Sequence, residues 1–318
     1  MPTHAQPGLR RSLGLAAIII YGVGDILGAG IYALVGQIAG IAGKLSWLAF
    51  GVALAAAFLT ALSYSDLGGR FPRAGGESHF CQRAFHSPAL GALIGWLVLS
   101  SGNVSLATVA RAFSGYLTHL IEIAESARWE QVSIVLFLAV LGGINFWGIR
   151  QSSKANILCT VIETAGLVLI IVAGMYFLGR IDSVDRMTQP VEASVVSPWA
   201  IGQAAAVAFF AFIGFEDLVN VSEEVQHPER NLPIAIMSSL VIAGSIYIAV
   251  VWIATQAVDP NLLARDKAPL VTVVQRVAPT VPAWSFTIVA LFAVANTALL
   301  NFIMASRLLY GMSQQGLI

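Results

Sequence analysis

Charge is what this sequence has least of. Only 11% of its 318 residues are Asp, Glu, Lys or Arg, against about 25% in a soluble domain, and 17 acids balance 17 bases. A chain with that balance offers no basic face for nucleic acid and no polybasic tail for an anionic lipid surface. Cysteine and histidine are scarce too. Cys81 and Cys159 suggest no disulfide or metal site, and His4, His79, His86, His119 and His227 are scattered, with no nucleophile elbow or metal-ligand spacing beside them. The expectation is no cofactor, no metal and no enzyme. Polar and apolar residues do not alternate at period two over barrel-strand lengths, which argues against a β-barrel.

What the chain has instead is apolar residue in long blocks. Hydrophobic side chains make up 57% of it, more than a soluble core needs, and about 20 consecutive apolar residues cross a bilayer as a helix. Eight such spans run over residues 13–40, 45–67, 88–120, 131–149, 155–178, 198–222, 232–257 and 282–310. The fold class is therefore an all-α polytopic membrane protein: a cytoplasmic tail at 1–12, then one transmembrane domain over 13–318. The first span is too long for a signal-peptide core and carries Asp25, so it is read as retained.

Arg10, Arg11, Arg70, Arg73, Arg83, Arg150 and Lys154 share one side of the first half, whose opposite loops hold only Lys44 and Arg128. The positive-inside rule puts that side, and both termini, in the cytoplasm of a plasma (inner) membrane protein. Glycines and Pro72 break the chain over 68–77, a short amphipathic piece follows over 78–86, and Asn231 and Pro233 mark the start of span 7. The longest outer segments, 179–197 and 258–281, are expected to carry short helices lying over the bundle.

Two spans carry residues that an ordinary spanning helix avoids. Span 1 holds Gly22, Gly24, Asp25, Gly28 and Gly30 near its middle; span 6 reads Phe212-Ile213-Gly214-Phe215-Glu216-Asp217. Small residues four apart also serve close helix packing, and the two acids of span 6 could lie in the inner interface. Yet spans five apart cross in opposite directions, and interruptions at corresponding places point to an inverted-repeat transporter site. Chain unwound at Gly28-Ala29-Gly30 presents free N–H groups, which favour a carboxylate. The half-helices that end at the breaks present free carbonyls, which favour an ammonium group. The two poles together suit a zwitterion.

The run Gly24-Asp25-Ile26-Leu27-Gly28-Ala29-Gly30-Ile31-Tyr32, the run Pro72-Arg73-Ala74-Gly75-Gly76-Glu77, and Phe212-Ile213-Gly214-Phe215-Glu216-Asp217 with Glu223-Glu224 and Pro228-x-Arg230-x-Leu232-Pro233 resemble the amino acid–polyamine–organocation (APC) permeases over nearly the whole chain. The resemblance implies a leucine-transporter-like inverted-repeat fold with discontinuous helices 1 and 6, and secondary transport of amino acids by proton coupling or exchange. It further implies that a substrate carboxylate meets Gly28, Ala29 and Gly30, and that the amino group meets carbonyls near Ile26 and Ile213, beside Gly214 and Glu216. Phe210 and Phe215 become gate or pocket-wall candidates. Asn103 of span 3 is a substrate contact or an interhelical hydrogen bond.

Glu163 stands alone in span 5, where some relatives place a lysine. A lone carboxyl inside a bundle is suited to taking up and releasing a proton; the competing reading pairs it with a polar neighbour or with Arg111. Asp25 and Asp66 are weaker candidates, and Asn296 and Asn301 line the path or tie helices together. The expected partners are an amino acid, protons and the lipid bilayer. Departures from the family pattern are Ser78, where relatives often have tyrosine, and a stop soon after Ser306–Met312, so that the second repeat would lack its last two helices. The alternative function is a non-transporting amino-acid sensor or subunit, or an inactive truncated permease.

Overall fold

The computed structural model describes residues 11–121, 126–146, 149–180, 196–266 and 268–318. Its helices in chain order are α1 (Leu15–Ala42), α2 (Ser46–Arg70), α3 (Gly76–Phe85), α4 (Pro88–Ile121), α5 (Ala127–Phe146), α6 (Ile149–Arg180), α7 (Pro198–Phe212), α8 (Pro228–Ala257), α9 (Pro260–Arg265), α10 (Pro269–Val277) and α11 (Ala283–Gln314). Among the described residues the only β-type pairing is an isolated bridge between Leu13 and Val225.

Among the described residues seven stretches are long and apolar enough to cross a membrane, and the first of them, Leu15–Arg70, contains both α1 and α2. A 3-10 turn at Gly43–Leu45, opened by Gly43 at φ 54°, separates the two helices. The chain doubles back there, because Gly22 near the start of α1 lies against Leu218 while Gly68 near the end of α2 lies against Val219. The eight expected spans thus correspond to α1, α2, α4, α5, α6, α7, α8 and α11.

α1 occupies the centre, packed by α6, α7, α8, α9 and α11, and most of its length is buried. The outer helices turn apolar side chains away from the protein: Leu59 and Leu62 of α2, Val135 and Leu136 of α5, and Val161 and Val172 of α6 are exposed. Lipid, not water, is the medium that accepts such a surface.

Three expectations need adjusting. α8 begins at Pro228, not near Pro233, with Pro228 in the first turn; Asn231 is no N-cap, its side chain donating instead to the Gln226 carbonyl. Span 6 is α-helical only to Phe212. Residues 258–281 do form two short helices, but they are wedged into the bundle, with Leu263, Leu270, Val273 and Val274 fully buried and the Leu263 carbonyl against Gly36 of α1. Most of 179–197 and of the tail 1–12 lies outside the described residues. At the start of α1, the N–H groups of Ser12 and Leu13 both donate to the Glu224 carbonyl at 2.9 Å. The Arg307–Glu224 ion pair, at 2.8 Å, brings α11 to the same place.

Candidate functional site

The site forms where two interrupted helices meet. α1 departs from helical geometry at Gly28 (φ −35°, ψ −143°) and then continues to Ala42. α7 stops at Phe212; Ile213 is extended (ψ 135°), Gly214 takes φ 131°, and 3-10 turns follow at Phe215–Val219 and Ser222–Glu224. The breaks touch backbone to backbone. A methyl group placed on Gly30 would lie 2.8 Å from Cα of Ala211, and one on Gly214 would lie 3.0 Å from the backbone of Asp25. Only hydrogen at these Cα positions allows that approach.

The freed peptide groups are met by side chains. The Ala29 N–H donates to Oγ1 of Thr297 in α11 at 2.7 Å, and the Tyr247 hydroxyl of α8 donates to the Ile26 carbonyl. The Gly214 N–H donates to Oε2 of Glu216, two residues along, at 2.9 Å. The amide expected to take a carboxylate and the carbonyl expected to take an ammonium are therefore each paired with a protein hydroxyl here. Neither Thr297 nor Tyr247 was singled out by the sequence, where each is one hydroxyl residue in an apolar span.

Aromatic rings close round this point. Tyr247, Phe212 and Phe50 have centroids 5.5 to 6.1 Å apart in edge-on arrangements, a geometry that aromatic quadrupoles favour. Phe215 is buried and meets Tyr64 edge-on at 5.8 Å. Phe210 is 66% exposed and Ile213 41% exposed, so Phe212 is the ring of α7 that joins the cluster. Asn103 is also exposed; two residues on, Ser105 accepts from Asn301 of α11 at 3.4 Å.

Glu163 of α6 is fully buried and tied to the first break through α11. Nδ2 of Asn296 is 3.2 Å from Oε1 of Glu163, from Oγ1 of Thr160 and from the carbonyl oxygen of Gly24, and Asn156 donates to Oδ1 of Asn296 at 3.0 Å. One carboxamide thus links three helices. Among the described residues Oε2 of Glu163 and Oδ2 of Asp25 are buried without a hydrogen-bond partner. Arg111 is not the partner of Glu163, since it pairs with Glu130 at 3.1 Å on the surface. Asp66 pairs with Arg70 at 2.8 Å, also exposed.

Two solved transporters share the architecture. The chain superposes on MhsT, solved in complex with L-phenylalanine, with a TM-score of 0.64 at 16% identity, over 98% of this chain and 80% of that one. It superposes on Mhp1, a nucleobase-cation-symport-1 family transporter, with 0.58 at 15% identity, over 99% and 70%. The fold is thus the leucine-transporter-like one, with its first and sixth spans discontinuous.

Residues 17–318 match the family model described as amino acid permease, and the chain belongs to that family. It is 31% identical to cationic amino acid transporter 4 of Homo sapiens over 98% of this chain and 51% of that protein. To the chloroplastic cationic amino acid transporter 9 of Arabidopsis thaliana it is 27% identical over 98% and 56%. With the inner membrane transport protein YbaT of Escherichia coli (strain K12) the figures are 26%, 94% and 67%. The chain spans about half the length of the first two.

Proposed function

We propose that this chain carries amino acids across the membrane by secondary transport, driven by protons or by exchange, with the substrate zwitterion held between the breaks of α1 and α7. The observation that carries the reading is the meeting of the two breaks inside the bundle. Peptide groups there are held by hydroxyls of Thr297 and Tyr247, and a substrate carboxylate and ammonium group can replace those hydroxyls with charge-assisted bonds. Family membership and the transporter names of the relatives support the same reading. Residues 13–318 would be one transmembrane domain in the plasma (inner) membrane, with 1–12 in the cytoplasm.

Glu163 is the proposed coupling group. It reports to the site through Asn296, which also holds the Gly24 carbonyl just before the first break. A change in its protonation therefore alters a hydrogen bond that α1 feels.

The test is uptake of labelled amino acids into proteoliposomes holding this chain alone, under an imposed inward proton gradient. Accumulation that an uncoupler collapses supports the reading; amino-acid binding without uptake or counterflow favours a sensor or subunit. Competition adds the substrate class, because a preference for lysine over alanine assigns the acids Glu216 and Asp217 to the substrate side chain. Glu163→Gln is expected to abolish gradient-driven uptake while sparing exchange, and unchanged pH dependence would remove Glu163 from the coupling step.

A further inference from the structure

Beyond the second break, at the end of the bundle that carries Arg70, Arg73 and Arg83, lies another carboxyl that the transport reading does not use. Glu77 stands in the first turn of α3. It is only 9% exposed, and its Oε2 meets no hydrogen-bond partner among the described residues. Further along α3 the chain comes out to water, with Arg83 and Phe85 exposed.

The surroundings of Glu77 come from two other parts of the chain. Tyr64 of α2 and the side chain of Asn220 face its carboxyl. Glu216 and Asp217 act on it from the 3-10 turn after the second break, and Cys81 from its own helix. Asn220 is fully buried, and among the described residues its carboxamide atoms meet no partner at full hydrogen-bond geometry. Its Oδ1 would lie 2.9 Å from a methyl group on Gly76, so it sits against the first turn of α3. Each buried polar group left unpaired costs about 1–3 kcal/mol, so Oε2 of Glu77 and the Asn220 carboxamide have hydrogen-bonding capacity that a proton can use.

Contacts lead from these acids towards the coupling group. Asn296 holds both Oε1 of Glu163 and the carbonyl of Gly24, the residue before Asp25. A methyl group on Gly214 would lie 3.2 Å from the carboxyl carbon of Asp25, and the Gly214 N–H donates to Glu216. The Asn220 N–H donates to the Asp217 carbonyl at 3.0 Å, and the Asn220 side chain lies against Gly76, the residue before Glu77. We propose that the row Glu163, Asp25, Glu216 with Asp217, and Glu77 is the inner path of the transported proton, and that Glu77 is its terminal binding site at the cytoplasmic end. The proposal rests on the proton-coupled reading above. A proton held by Glu163 passes to Asp25, to the Glu216–Asp217 pair, to Glu77 and then to water. Each donor is left as a carboxylate and takes the next proton, so nothing else is consumed.

The electrostatics of the last site suit release near neutrality. Burial pushes the Glu77 carboxyl up to about 7, and the facing Glu216 adds to the rise; the N–H groups of its own turn, Tyr64 and Asn220 act against it. A group poised there gives up its proton to neutral water and is refilled from the row.

Infrared difference spectra of the purified chain in nanodiscs, taken across a pH titration without any gradient, test the site directly. The wild type should show a component of the protonated-carboxyl band that disappears with a midpoint of about 7. Glu77→Gln should remove that component, and Glu77→Asp should keep a titrating carboxyl. In proteoliposomes Glu77→Gln should lose the gradient-driven component of uptake while retaining exchange. A component with that midpoint that persists in Glu77→Gln, or gradient-driven uptake equal to wild type, overturns the proposal. A wild type without gradient-driven uptake ends the coupling reading, whereas the titration decides the Glu77 site by itself.

Discussion

At the first break a single residue, Gly28, leaves helical geometry and α1 resumes, whereas at the second the α-helix ends at Phe212 and only 3-10 turns follow as far as Glu224. The peptide groups are also satisfied differently. Those of α1 depend on hydroxyls from helices 221 and 268 residues away in sequence; that of Gly214 is met by Glu216, two residues on. The first break is therefore a product of tertiary packing, and the second is largely written into its own local sequence.

Substitutions can break that contrast, and the largest effect is expected at Gly214. Its φ of 131° lies where side chains are strained, at a cost of about 1–3 kcal/mol, and an added methyl also meets the Asp25 backbone at 3.0 Å. Gly214→Ala should lower the thermal unfolding midpoint, and trimming a neighbouring side chain should not restore it. A midpoint unchanged from wild type would show that the local sequence does not fix this turn.

Gly28→Ala should cost less and should be repairable. The methyl would fall 1.8 Å from Oγ1 of Thr297, a side chain that can be shortened. The double variant with Thr297→Ala is expected to be more stable than Gly28→Ala alone. A double-mutant cycle showing simple additivity would contradict packing control of the first break.

The smallest change is Tyr247→Phe. It keeps the ring in the cluster with Phe50 and Phe212 but strips the Ile26 carbonyl of its donor, worth about 1 kcal/mol. Unfolding midpoints of the purified variant measure the loss. If the carbonyl is a substrate contact, affinity for amino acids should change less than stability, because the ammonium group replaces the lost hydroxyl.

Much of the fold was legible. Apolar blocks placed the spans to within a few residues, because a segment in lipid must satisfy its backbone internally and must be long enough to cross. The glycine cluster and the deep acids marked both breaks. The start of α8 was misplaced because Pro228 and Pro233 can each occupy a first turn, and the choice between them depends on how the preceding turns pack. The ring of α7 that joins the aromatic cluster was open for a related reason. Phe210 and Phe212 lie two residues apart in one apolar helix, and the sequence does not say which faces Tyr247 and which faces outward.

Partners across the bundle were the least legible. Arg111 was a reasonable mate for Glu163 by charge alone, yet it reaches Glu130 on the surface, and the carboxyl meets the amide of Asn296, 133 residues away. By itself the sequence determined that the chain is a bundle of spanning helices and where two of them fail, since these follow from hydropathy and from the backbone demands of glycine. The tertiary structure decided which side chains close the broken segments and which amide meets Glu163. Those outcomes depend on which faces of distant helices meet, and helical periodicity carries no record of that.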